Sequence, residues 1–302
     1  MHSKVDVSIC IATYCRPLLL KKLLVSLLKL KLSDEFTVEI IVVDNDHANT
    51  ARETCNKFKN KSKFPFSYLV EPQKNIAIAR NRAIREAKGN WIAFIDDDEI
   101  ADANWLMSLC QTQKKYNADG VTGPIIPIYS EGIPKWIIRG KFFERNRYKT
   151  GENPGKELRT GNMLVKRTLT LKESFDPYFG ETGGEDSDFF RRLKDKAKIK
   201  FVWCDEAIVR EFVSRERANL KWILRRAFQG GMVNTLLYLK SKQKRSLQFY
   251  IIARSFAILS LFTPLIIPFL LFGPVGTVRI LKKIMIQIGH IYSASGRLKN
   301  FY

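Results

Sequence analysis

Four neighbouring carboxylates, Asp96-Asp97-Asp98-Glu99, follow the apolar run Trp91–Ile95. Hard divalent cations take oxygen ligands, and Mg²⁺ or Mn²⁺ is commonly held by one or two carboxylates together with phosphate oxygens. Like charges bunched this closely need a counter-ion to stay ionised together. A solvated acidic turn has the same composition. A second cluster, Asp44-Asn45-Asp46, closes another apolar run. Asp and Asn punctuate turns; a carboxylate there can also hydrogen-bond a nucleobase or ribose. The third constellation is Asn75-Ile76-Ala77-Ile78-Ala79-Arg80-Asn81-Arg82. A helix N-terminus with Arg80 in its first turns suits a diphosphate, though a basic amphipathic helix reads alike. The fourth is Gly183-Gly184-Glu185-Asp186-Ser187-Asp188. Its glycines allow close approach of a ligand. Its acids either complement a helix N-terminus or supply a general base.

The elements that must position these groups alternate two periods. Short runs rich in β-formers stand at Val7–Thr13, 38–43, Phe66–Val70 and Trp91–Ile95. Helical spacing fills 18–32 after Pro17, 76–88, and 104–116, with Gly89 expected as the left-handed residue closing the second helix. Strands apolar throughout and alternating with helices predict a mostly parallel sheet covered on both faces. Ligands of such sheets sit beyond the carboxyl ends of the strands, where three of the four runs end in polar or acidic residues. Residues 126–160, rich in Gly and Pro, read as a loop or lid. Further strands are expected at 160–167, 199–203 and 208–213, and helix from 217 onward.

Composition narrows the function. A chain of 302 residues with 45% apolar residues holds one large domain, or a domain plus an appendage. Five cysteines with no C-x-x-C pair indicate neither a zinc site nor a disulfide framework. Three histidines outside any motif exclude His-based triads. The apolar run Val7–Thr13 is too short for a signal-peptide core, so the catalytic body is expected in the cytoplasm. The net charge of +21 is uneven: residues 210–302 carry sixteen Lys/Arg against two Glu. No RRM, helix-turn-helix or zinc pattern supports nucleic-acid binding. The most basic region is also the most apolar, which fits lipid better. Residues 255–278 carry no charge over 24 positions and lie between Arg254 and Arg279. That length is enough to cross a bilayer, but Pro264, Pro268 and Pro274 interrupt it. A kinked span, a re-entrant hairpin and an interfacial helix are all open; a buried hairpin is the soluble alternative. The flanking cations are Lys240, Lys242, Lys244 and Arg245 on one side and Arg279, Lys282 and Lys283 on the other.

Ala12-Thr13-Tyr14, Val43-Asp44-Asn45, Ala79-Arg80-Asn81, Phe94-Ile95-Asp96-Asp97-Asp98 and Glu185-Asp186 stand in this order along the chain. Together they resemble glycosyltransferase family 2 over about residues 5–215. Glu71-Pro72 through Asn81, with Ile95 to Glu99 and Trp105-Leu106, is similar to the ExoM-type branch of bacterial polysaccharide and lipopolysaccharide glycosyltransferases. The resemblance implies an α/β fold of the GT-A type over 1–215, with a donor half, 1–125, and an acceptor half, 126–215. To this 216–302 would add a basic helical membrane-associated region. Thr13 and Asp44 would contact the nucleoside, and Arg80 the diphosphate. Asp96 and Asp97 would serve the donor side, and Asp98 would ligate Mn²⁺ or Mg²⁺. Asp186 would be the general base, with Glu185 placing the acceptor. Ala77 stands where many relatives carry Gly. The implied reaction is inverting transfer from a nucleotide-diphosphate sugar, a UDP-sugar, to a hydroxyl of a lipid-linked saccharide or of a lipopolysaccharide or exopolysaccharide precursor. A polyprenyl phosphate is the alternative acceptor. The expected place is the cytoplasmic face of a bacterial inner membrane, against an anionic surface and without nucleic acid.

Overall fold

The chain, a computed structural model, is described over residues 5–33, 36–155, 157–196, 199–242, 245–271 and 273–301. Lys244 lies outside these, as does the Arg245 side chain. Among the described residues the first half runs β1 (Val7–Thr13), α1 (Pro17–Leu27), β2 (Val38–Asp44), α2 (Arg52–Lys59), β3 (Phe66–Val70), α3 (Ile76–Glu86), β4 (Trp91–Ile95), β5 (Glu99–Ala101), α4 (Trp105–Tyr116), β6 (Gly120–Thr122) and β7 (Ile125–Tyr129). Then follow α5 (Lys135–Arg139), β8 (Asn162–Lys166), α6 (Arg167–Lys172), α7 (Phe179–Thr182), α8 (Glu185–Lys196), β9 (Phe201–Trp203) and β10 (Val209–Val213). Four helices end the chain: α9 (Leu220–Lys242), α10 (Arg245–Phe262), α11 (Ile266–Leu271) and α12 (Pro274–Ala294).

The first compact unit comprises 1–128, 144–181 and 185–212. Its main sheet has the order β3-β2-β1-β4-β8-β6-β9, and β5-β10-β7 form a second sheet. β1, β2, β3 and β4 are parallel, as the unbroken apolar runs predict. β8 is antiparallel between β4 and β6, which the periodicity did not disclose. Successive side chains of a strand face opposite ways. Ile9 and Ile11 therefore join Leu20, Leu23, Leu24 and Leu27 of α1 and Trp105 of α4 in one buried layer. Cys10, Ile41, Val43 and Phe94 meet Ala77, Ala79 and Ala83 of α3, with Phe175 and Phe189, in the other. Alanines on α3 let it lie close to the sheet. Register then fixes the site: Thr13 pairs level with Asp44, and Asp44 with Val70. Cys10 is level with Phe94, which carries β1's end to Asp97.

Two expectations are corrected. Gly89 does not close α3 in a left-handed cap; Ala87 ends the helix with extended backbone, φ −64° and ψ 133°. Gly89 is required by space, since an added Cβ would stand 2.6 Å from the Ser8 nitrogen of the adjacent β1. The stretch 126–160 is not wholly irregular, because β7 and α5 form within it. Both are too short for their periods to stand out among prolines and glycines.

The second unit comprises 129–143, 182–184 and 213–302. Ile133, Ile137, Val213, Ala218, Ile223 and Val278 form its apolar core. α9 and α12 cross where each is reduced to glycine: Gly231 lies against the Ile286 carbonyl and Gly289 against that of Phe228. Any side chain at either position would strike the facing backbone. Residues 255–278 are divided among α10, α11 and α12, and among the described residues no helix is long and apolar enough to cross a membrane.

Candidate active site

The turn after β4 exposes its four carboxylates unequally. Asp97 and Glu99 are buried, the Asp98 side chain is nearly so at 12%, and only the Asp96 side chain is well exposed, at 42%. Asp97 accepts a hydrogen bond from the Thr13 hydroxyl at 2.7 Å and one from Arg16 Nη1 at 3.2 Å. Burial pushes the Asp97 carboxyl up, and Arg16 and the Thr13 hydroxyl draw it back. Glu99 accepts from the Asp96 N–H at 2.9 Å. Burial, then the Asp96 charge, push its carboxyl well above the ordinary carboxylate range. Gly161 makes room, because a Cβ there would stand 2.6 Å from Glu99 Oε1 and 3.2 Å from Asp96 Oδ2. The buried pair thus fixes the turn, and Asp96 is its most exposed carboxylate. Arg16, half-exposed, also stands 3.5 Å from Asp98 Oδ2. Sequence reasoning missed Arg16, although its place three residues beyond β1 put it at the same sheet edge.

At the end of β2, Asp44 is fully buried. Its Oδ2 accepts from the Ala51 N–H at 2.9 Å and the Tyr68 hydroxyl at 2.8 Å. Its Oδ1 is buried without a hydrogen-bond partner. Burial raises this carboxyl above its ordinary value, against the Ala51 N–H and Tyr68 hydroxyl. A buried acceptor left open is costly. Asn45 works locally, donating to the Glu71 and Gln73 carbonyls at 3.0 and 2.6 Å and accepting from the Asn75 N–H.

Arg80 is buried on α3 and both arms of its fork are engaged. Nη1 donates to Glu185, and Nη2 to Asp96 Oδ1 at 3.1 Å. Burial opposes the guanidinium charge; Glu185, then Asp96 and Asp186, more than restore it. Burial likewise pushes Glu185 up while Arg80 pulls it down. The series Asp96–Arg80–Glu185 therefore ties the acidic turn to the start of α8, on which Asp186 is partly buried. Asp186 Oδ1 accepts from the Ser187 N–H at 2.7 Å. α8 is held firmly behind it: Phe189 stacks on Phe175 at 4.2 Å, and Arg192 bridges Asp188 and Glu173.

α3 clamps the segment leading to these acids. Asn75 caps the helix through Oδ1, accepting from the Ala77 and Ile78 N–H groups, and donates to the Pro177 carbonyl at 2.9 Å. Gly180 must be glycine, because a Cβ would collide with Asn75 Oδ1. Asn81 and the Phe175 backbone exchange two hydrogen bonds of 2.8 Å. Asn81→Ala leaves both backbone groups unpaired, which is expected to cost about 1–3 kcal/mol. Denaturant unfolding should record that loss, and turnover should fall with donor affinity unchanged. Wild-type stability and turnover in the variant would refute the clamp.

A mostly parallel sheet with an acidic turn at its carboxyl edge is the frame of a GT-A-type sugar-nucleotide transferase. The family model described as Glycosyl transferase family 2 matches residues 8–176, and the chain belongs to that family: it is a glycosyltransferase. It is 33% identical over 236 residues to the succinoglycan biosynthesis protein ExoM of Rhizobium meliloti (strain 1021), covering 76% of this chain and 74% of the relative. In fold it is similar to residues 1–349 of S. aureus TarS solved with UDP, with TM-score 0.56, 16% identity, and 97% and 92% of the two chains covered. It spans 40% of a longer TarS chain. GalNAc-T7 solved with UDP, GalNAc and Mn²⁺ is similar at TM-score 0.54 and 14% identity, over 74% of this chain and 48% of that one.

Proposed function

We propose that the enzyme transfers a sugar, with inversion, from a UDP-sugar to a hydroxyl of a saccharide precursor of a bacterial surface or secreted polysaccharide. The observation that carries this is the gathering of Asp96 and Asp98 in one turn with a half-buried acid, Asp186, on a helix tethered to that turn through Arg80 and Glu185. The solved neighbours bound to UDP favour that nucleotide.

The donor set suits Mn²⁺ or Mg²⁺. Among the described residues no three His, Cys, Asp or Glu side chains form a closed cage, and such cations need only one or two carboxylates when diphosphate oxygens complete the shell. Asp98 would hold the cation, with Asp96 beside it. When bound, the cation would stabilise negative charge on the leaving diphosphate. Arg16, half-exposed and paired with Asp97 and Asp98, would turn from them toward that diphosphate; Arg80, buried with both arms of its fork occupied, acts in the frame. Asp44 Oδ1 would accept a hydrogen bond from the base or ribose. Thr13, whose hydroxyl is given to Asp97, supports the donor site from behind.

Asp186 takes the proton of the acceptor hydroxyl. The resulting oxygen attacks the anomeric carbon opposite the diphosphate. The carbon–oxygen bond to the diphosphate breaks in the same step, without a covalent enzyme intermediate. Glu185 is unsuited to that task because its carboxylate is bound to Arg80. The acceptor is a saccharide carried on a lipid at the cytoplasmic face of the inner membrane. Purified enzyme should bind and slowly hydrolyse UDP-sugars only with Mn²⁺ or Mg²⁺, and GDP- and CMP-sugars far less. Donor binding indifferent to divalent cations would exclude the metal-assisted reading.

A further inference from the structure

We infer that α10, α11 and the start of α12 form an interfacial anchor that enters one leaflet of an anionic bilayer without crossing it. This deepens the proposal of a lipid-borne acceptor and rests on it for its purpose, although lipid binding needs no substrate. The first observation is the orientation of side chains. On α10 the inward face carries Ile251 and Ser255, while Phe249, Tyr250, Phe256 and Leu261 face outward. Beyond the turn, Ile267 and Leu271 of α11 continue the outward series; Phe249 is 74% and Leu271 85% exposed. Small and polar groups lie inside the same unit: Gly231 and Gly289 at the α9–α12 crossing, Gln287 and Ser293, and a Thr235 hydroxyl 2.8 Å from His290 Nδ1. The inside of the unit is already filled by Met232, Val233, Leu237 and Ile280, so the large apolar groups outside add an exposed apolar patch that its own packing does not use.

The second observation, charge, selects the surface. Residues 217–302 hold fourteen Lys and Arg and no Asp or Glu. Lys240, Lys242, Arg254, Arg279 and Lys283 are exposed, and cations beside an apolar wedge match anionic headgroups. The third is length. Pro264 and Pro268 break the apolar run after α10, and α11, with six residues, is about 9 Å long against a hydrocarbon core of about 30 Å. Arg254 stands in the middle of α10, among its outward apolar residues, where a long side chain reaches the headgroups from an interfacial helix. Outward aromatic residues, Tyr238, Phe249, Tyr250 and Phe256, favour the same depth.

The full chain is to be floated with vesicles of phosphatidylethanolamine and phosphatidylglycerol, and with vesicles of phosphatidylcholine alone. Binding is expected at least about tenfold stronger to the anionic vesicles and should survive high salt once formed. Combining Phe256→Ser, Leu261→Ser, Ile267→Ser and Leu271→Ser changes only outward side chains, so the circular dichroism should be preserved while the bound protein becomes salt-extractable. A fluorophore on Thr263→Cys, in a Cys15→Ser background that removes an exposed thiol, should be quenched by labelled lipid tails and not by a quencher sealed in the vesicle lumen. Absence of vesicle binding, equal salt resistance in the serine variant, or quenching from the lumen would each overturn the proposal. So would a lipid-free dimer that the serine changes dissociate. Metal-dependent UDP binding, measured on the same samples, separates the two readings: its survival without vesicle binding removes the anchor alone, and its loss with vesicle binding intact removes the transferase mechanism alone.

Discussion

Asp98→Asn is expected to lower transfer by about 10³-fold, because stabilisation of the leaving diphosphate by a bound cation is worth several kcal/mol. Asp98 stands in the acidic turn beside the half-exposed Arg16. The amide keeps the shape and removes the charge. Arg16 would lose one of its two partners and keep Asp97 at 3.2 Å, so the fold should hold. Calorimetry with UDP and Mn²⁺ should show metal-dependent affinity falling with turnover. Thermal unfolding should be nearly unchanged. If Asp98→Asn binds UDP with wild-type dependence on Mn²⁺, the metal role belongs elsewhere, and Asp96 is the next candidate. Asp97→Asn provides the contrast. Its carboxylate is buried and bonded to Thr13 and Arg16, so this change should lower stability as well as activity.

Asp186→Asn should remove turnover and leave donor binding intact. Loss of a positioned base costs about 10²–10⁴-fold, and the base acts only once an acceptor hydroxyl is present. Saturating acceptor should therefore fail to rescue the rate, while UDP and Mn²⁺ bind as in the wild type. Glu185→Gln should behave otherwise. Its carboxylate is a partner of buried Arg80, so the change leaves a guanidinium half-paired in the interior. That cost falls on folding and on the geometry of both sites. A near-normal rate for Asp186→Asn at saturating acceptor would remove Asp186 from the chemistry.

Much of this was legible along the chain because it depends on local pattern. The first four strands follow from apolar runs with turn residues at their ends, and the structure reproduces Phe66–Val70 and Trp91–Ile95 to the residue. The position of the acidic turn at a carboxyl edge follows from the βα alternation alone. The antiparallel β8 did not, because a five-residue strand looks the same in either direction. The short β5 and its sheet with β10 and β7 were equally silent.

The sequence by itself determined the class of fold and the family, and put forward most of the candidate site residues, since these rest on residue type, order and spacing. Only the tertiary structure decided how those groups divide the work. Asp97 and Glu99 are buried while the Asp96 side chain is 42% exposed. Arg80, read as a diphosphate partner at a helix start, is buried between Glu185 and Asp96, 105 and 16 residues away. Arg16, unremarked in the sequence, stands at the mouth of the turn. The reason is physical: a charge is costly to bury unless a partner comes from elsewhere in the chain. Which charges are paired inside and which stay near the surface is settled by packing between distant segments, and no local pattern carries that information.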